Sequence, residues 1–119
     1  MEHTIVIKEN HLFRRLYHRG KYQAHPLLVT YALKNRLPHN RYGITASKKI
    51  GGAVERNRAK RVIRAAYSKL EPEIPTGWDF IFVARTKTTL VKMDEVAAVM
   101  KRHMEQLVNS RPPGIWVEM

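Results

Sequence analysis

The chain has 119 residues, 44% hydrophobic and 27% charged, with a formal net charge of +12 and no cysteine. That length and composition predict one globular domain and exclude a disulfide scaffold or a thiolate metal site. No apolar run approaches the ~18 residues that would span a bilayer, and MEHTIVIKEN lacks the charged start and long apolar core of a signal peptide. The charge is polarised: residues 1–70 carry 16 Lys/Arg against 3 Asp/Glu, whereas residues 71–119 carry 6 against 7. A directed basic surface of this kind predicts a polyanionic partner, nucleic acid first, and a cytoplasmic protein with no membrane contact.

In chain order, Asn10 is placed to cap a helix running to about Arg19 and stopped by Gly20. Leu12, Phe13, Leu16 and Tyr17 share one side of it. Residues 21–37 read as extended, interrupted at His25-Pro26 because the residue before proline disfavours helix. Asn35 to Asn40 is a turn. Arg41 to Ser47 is the next strand, with Tyr42, Ile44 and Ala46 on one face and Gly43, Thr45 and Ser47 on the other. It runs straight into Lys48-Lys49.

The following segment, KKIGGAVERNRAKRVIRAAYSKL, combines two patterns. Ala59, Val62, Ile63, Ala66, Tyr67 and Leu70 form one apolar stripe at helical spacing. Asn57, Arg58, Lys60, Arg61 and Arg64 fall away from that stripe, with Arg56 at its edge. Arg56–Lys60 and Lys60–Arg64 are like-charge pairs four apart, each unfavourable by roughly 0.2–0.5 kcal/mol. Cations also crowd the first turns, where the helix dipole favours anions. The pattern suits a face that docks a polyanion. The alternatives are a merely solvated basic face or a helix lying on an anionic membrane. The small and β-branched apolar stripe, without bulky wedges, argues for packing inward.

Residues 71–77 are rich in turn formers. Asp79 to Arg85 is a short apolar strand expected at the centre of a sheet with both faces covered. After a polar connection, Asp94 is placed to cap a last helix to about Asn109, with Val96, Val99, Met100, His103, Met104 and Leu107 inward. The core is expected over about residues 8–109. The tail, residues 110–119, holds Ile115-Trp116-Val117 and is expected to fold back on the domain, with a mobile terminus or a partner contact as the alternatives. The whole reads as an α+β domain.

Lys48-Lys49-Ile50-Gly51, Ala53-Val54, Arg56-Asn57-Arg58, Lys60-Arg61 and Arg64 resemble the signature segment of the protein subunit of bacterial ribonuclease P. Gly52 departs mildly, standing where relatives often place a capping side chain. The resemblance covers about Lys8 to Leu107. It implies a sandwich of about four strands with three helices in the order αβββαβα, a ribosomal protein S5 domain 2-like fold, with residues 21–37 divided into two strands. It also implies a function: the protein component of an RNA-based endonuclease that matures the 5′ end of tRNA. The expected partners are the catalytic RNA subunit and precursor tRNA, with no obligatory protein partner. The expected cofactor is Mg²⁺, bound mainly by the RNA.

The chain's own residues agree that it lacks a catalytic centre. Glu2, Glu9 and Glu55 are the only acids before residue 71, the later acids form no paired motif, and the six histidines have no metal-ligand spacing. The expected RNA-binding residues are Lys48, Lys49, Arg56, Asn57, Arg58, Lys60, Arg61 and Arg64. The resemblance adds a cleft for the 5′ leader, matched here by Phe13, Tyr17 and Tyr31, with Ser47 at its rim. A ribosomal or general RNA-binding protein would share the charge without that cleft, and an autonomous nuclease would need an acid–base pair not evident here.

Overall fold

The structure is a computed structural model and describes residues 3–108; the expected tail lies outside the described residues. Five strands form one sheet: β1 (Thr4–Val6), β2 (Lys21–His25), β3 (Leu28–Lys34), β4 (Asn40–Thr45) and β5 (Trp78–Ala84), in the order β1-β4-β5-β3-β2. Three helices complete it: α1 (Asn10–Arg19), α2 (Ala53–Leu70) and α3 (Met93–Leu107). The fold is α+β, with α1 on one face of the sheet and α2 and α3 on the other.

The placement of β5 follows from its composition. Its side chains alternate between two apolar layers, so a near-continuous hydrophobic run is needed. Phe80 and Phe82 enter the core beneath α2 and α3, while Ile81 enters the smaller one beneath α1. The strand pairs with β4 in parallel and with β3 in antiparallel fashion. The parallel β4–β5 link needs a crossover element, which α2 provides.

The apolar stripe of α2 is inward: Ala59, Ile63, Ala66 and Tyr67 are fully buried, with Leu70 nearly so. The Tyr67 ring lies flat on Tyr42 of β4, centroids 4.6 Å apart. Burying one such ring contributes roughly 1.5–3 kcal/mol. This packing fixes which side of α2 faces solvent, so the cations are turned outward. The inward stripe of α3 is also as expected, from Val96 through Leu107.

Three local features depart from sequence expectation. Glu9 and not Asn10 occupies the cap position of α1, without a side-chain cap bond. Lys92 and not Asp94 precedes α3; Glu95 reaches back to the Lys92 N–H at 3.3 Å, and Asp94 instead pairs with Lys69 Nζ at 2.9 Å. Finally, β1 adds a strand ahead of the expected order. Three residues show no useful period, and β1 is held by distant partners. Thr4 Oγ1 hydrogen-bonds the buried Glu71 carboxylate and the Tyr67 hydroxyl, each at 2.9 Å.

Candidate nucleic-acid interface

The strand β4 ends at Thr45, and Lys48-Lys49 follow on a single 3₁₀ turn, Lys48–Ile50. Ser47 caps that turn by accepting from the Lys49 N–H at 3.3 Å. Gly51 then takes a φ of +144°, a conformation that L side chains rarely adopt. The turn redirects the chain into α2. Gly52 offers no capping side chain. Arg56 is half-buried and spends one N–H on the Gly51 carbonyl at 3.0 Å, which ties the turn to the helix.

The remaining signature cations are differently disposed. Lys48, Lys49, Arg58, Arg61 and Arg64 are exposed, as is Asn57, and Lys60 is half-buried. Among the described residues none of these cations has an acidic side chain within ion-pair distance. The like charges four apart on α2 therefore have no acidic partner among the described residues. Arg41, by contrast, is committed to structure. It donates to both oxygens of the buried Asp79, at 2.8 and 2.7 Å.

On the other face of the sheet the expected aromatics come together. Phe13 and Tyr17 project from one flank of α1, rings 6.4 Å apart. Tyr17 meets Tyr31 of β3 edge-on at 4.9 Å. The Tyr17 hydroxyl shares a 2.7 Å hydrogen bond with Thr45 Oγ1, so the side chain bridges from β4 to β3 across β5. Tyr17 remains 40% exposed. Partial burial raises the pKa of its phenol above the ordinary value. The group therefore stays neutral and offers a hydrogen bond without repelling a phosphate. Ser47 lies exposed at the strand end beyond Thr45.

The two surfaces are contiguous. The pairing of β1 with β4 runs from Thr4–Asn40 to Val6–Tyr42, closed by the Ile7 N–H on the Tyr42 carbonyl. Past that point no strand among the described residues pairs with this edge of β4. A cavity of about 160 Å³ opens there, lined by Phe13 and Gly43 from the cleft side and by Ile44, Lys60 and Arg64 from the α2 side.

The ribonuclease P family model matches residues 1–108. The chain belongs to the ribonuclease P protein family. The Thermoanaerobacter sp. (strain X514) ribonuclease P protein component is 39% identical over 108 residues, which are 91% of this chain and 90% of that protein. The Clostridium botulinum (strain Loch Maree / Type A3) protein is 43% identical over 83 residues, 69% and 75% of the two chains. The Staphylococcus aureus RNase P protein superposes with a TM-score of 0.74 at 31% identity, covering 85% of this chain and 93% of that one. The Thermotoga maritima RNase P protein gives 0.72 at 25% identity, with 81% and 91% covered.

Within this ribonuclease P protein, two residues of the site escape a reading of the sequence. Gly43 is small because Phe13 stands over it; a Cβ there would lie 2.5 Å from the ring. Thr45 is the hydrogen-bond partner of Tyr17. Their signal is the alternation that sets Gly43 and Thr45 on one face of β4, but no periodicity says which helix covers that face.

Proposed function

We propose that this protein binds two RNAs: the RNA subunit of ribonuclease P through Lys48, Lys49 and the outward face of α2, and the 5′ leader of precursor tRNA through the cleft of Phe13, Tyr17 and Tyr31. The observation that carries this reading is the continuity of partly exposed aromatics, through the cavity at the β4 edge, with cations that have no acidic partner among the described residues. Cations neutralise phosphates without reading sequence. Aromatic rings hold unpaired bases, which only a single-stranded segment offers. A leader beside a structured RNA presents both demands at once.

Hydrolysis of the phosphodiester would then be carried out with Mg²⁺ held by the RNA. Mg²⁺ prefers oxygen ligands in octahedral geometry, commonly one or two carboxylates with phosphates and water. Among the described residues no three His, Asp or Glu side chains gather as a metal group. In this reading the chain's own residues act by screening repulsion and positioning RNA. Among the described residues no helix is long and apolar enough to cross a membrane, and a cytoplasmic site of action fits an RNA substrate.

The test is reconstitution. Purified protein is added to ribonuclease P RNA and precursor tRNA at low Mg²⁺. Restored 5′ cleavage that requires both components supports the proposal. Cleavage by the protein alone, surviving nuclease treatment of contaminating RNA, would place the active site in this chain. RNA binding without restored cleavage would leave only a general RNA-binding protein.

A further inference from the structure

The helix α1 does not cover the whole sheet face on which it lies. Its buried residues Leu12 and Leu16 pack with Ile7 and Ile81, toward the middle of the sheet. Beyond β3 lies the edge strand β2, and there Tyr22 is 60% exposed. Tyr22 stands directly opposite Tyr31 in the antiparallel ladder, so both rings project from the same face. The two rings stack, centroids 5.4 Å apart and planes 30° from parallel. One side of the Tyr22 ring is therefore set against Tyr31, and the ring is held in place while most of it stays in water.

These side chains form a row that crosses the sheet at a slant, Thr45 lying two residues along β4 from Gly43, the position in line with Tyr31. Thr45 on β4 bonds Tyr17, which meets Tyr31 on β3, which stacks on Tyr22 of β2. From β4 to β2 this spans three strand spacings, about 14 Å, more than a single base covers. The row begins beside Ser47 and the signature turn and ends at the sheet edge farthest from them.

We infer that Tyr22 is a further nucleotide-binding position, a stacking platform for an unpaired base at the end of the leader path most distant from α2. This rests on the proposed leader cleft and extends it. Single-stranded RNA is the occupant because a fixed, exposed aromatic face continuous with a second aromatic cluster suits consecutive unpaired bases. Tyr22 also contributes to β2–β3 pairing as a cross-strand aromatic, but that role needs no ring left open to solvent.

A path with a near and a far end predicts a dependence on leader length. The holoenzyme is reconstituted with wild-type, Tyr17→Ala, Tyr22→Ala, Tyr22→Thr or Tyr22→Phe protein. Affinities are measured for precursor tRNAs carrying leaders from about 2 to about 10 nucleotides, a range within the usual single-strand site sizes, and for mature tRNA. Thermal unfolding is recorded on each protein. Tyr22→Ala and Tyr22→Thr are expected to weaken binding of long-leader substrates by about 5- to 10-fold, the low end for a stacked base. Short-leader and mature tRNA binding should not change. Tyr22→Thr keeps a residue suited to strands, and Tyr22→Phe, which keeps the ring, should bind like wild type. If Tyr17→Ala shows a leader-dependent loss but neither Tyr22→Ala nor Tyr22→Thr does at any length, the inference is overturned and the cleft stands. If Tyr17→Ala shows no leader dependence either, the cleft itself fails. Losses at Tyr22 that are equal for mature tRNA and follow unfolding would reduce the residue to a structural one.

Discussion

Phe13 lies over Gly43 so closely that a Cβ on the glycine would stand 2.5 Å from Cζ of the ring and 2.9 Å from Cε1. The seat of the first cleft aromatic is thus made by a missing side chain on β4. Gly43→Ala should push the ring off the sheet. Overpacking of this kind costs about 1–3 kcal/mol, and here the obstructing atoms are the far end of one side chain. The variant should fold, with a lowered midpoint, and lose affinity for precursor tRNA in preference to mature tRNA. Wild-type affinity for the precursor would show that the Phe13 position is immaterial to the leader.

The outward face of α2 makes a separable prediction. Arg61 and Arg64 are exposed and have no acidic partner among the described residues, so removing them strands no carboxylate among those residues. Arg61→Ala with Arg64→Ala should keep wild-type stability within about 0.5 kcal/mol. RNA binding should weaken at low salt. The plot of log K against log salt should also become shallower, by just under ~1 for each phosphate that the protein no longer neutralises. An unchanged slope would mean that this face is only solvated.

Much of this arrangement is legible in the sequence because long elements declare their period. The α2 stripe and the apolar run of β5 each have one physical solution, so helix, central strand and outward cations follow from spacing. Phe13, Tyr17 and Tyr31 are picked out by family resemblance, and their meeting in one cleft depends on α1 crossing β5 toward β3. What stays hidden depends on residues far apart in sequence that touch only in the fold. The strand β1 exists because Thr4 reaches Glu71 and Tyr67, and three residues carry no period. Tyr22 is an ordinary strand residue until its register places it opposite Tyr31. The contacts of Arg41 and Arg56 are hidden in the same way. Both count toward the basic half, yet Arg41 is spent on Asp79 and Arg56 gives one donor to Gly51.

The Arg41–Asp79 pair joins β4 to β5 at directly opposed positions. Asp79 is 1% exposed and also accepts from Asn35 Nδ2 at 2.8 Å. Hydrogen bonding to Asp79 holds the Arg41 pKa above its ordinary value. Arg41→Ala leaves a buried carboxylate with one partner fewer, which should cost about 3–5 kcal/mol. Replacing both residues, Arg41→Met with Asp79→Leu, should cost less than the single change because no buried charge is stranded. Urea unfolding of the three proteins decides it. A single-variant loss below about 1 kcal/mol would mean that solvent already screens the pair.

His103 carries the last prediction, a pH dependence of stability. The ring is 6% exposed, and its Nδ1 shares a 2.8 Å hydrogen bond with the fully buried Thr30 hydroxyl. The His25 ring stands 6.4 Å away. Burial, then the neighbouring His25 and Arg102, lowers the His103 pKa from 6.5 to about 4. The folded protein therefore keeps the ring neutral where the unfolded chain would protonate it. Above the unfolded value of 6.5 neither state binds the proton, and the contribution is intact. As pH falls from 6.5 to about 4 the unfolded state gains protons first, so stability declines across that window and levels off below it. The loss from this one group is at most about 3 kcal/mol. His103→Gln retains a hydrogen-bonding side chain but cannot titrate. Urea unfolding of both proteins, followed from about pH 7.5 to about pH 4, should show the wild type losing its advantage over the variant within the window. A stability difference that stays constant would mean that His103 titrates alike in both states, and the buried neutral imidazole would have to be abandoned.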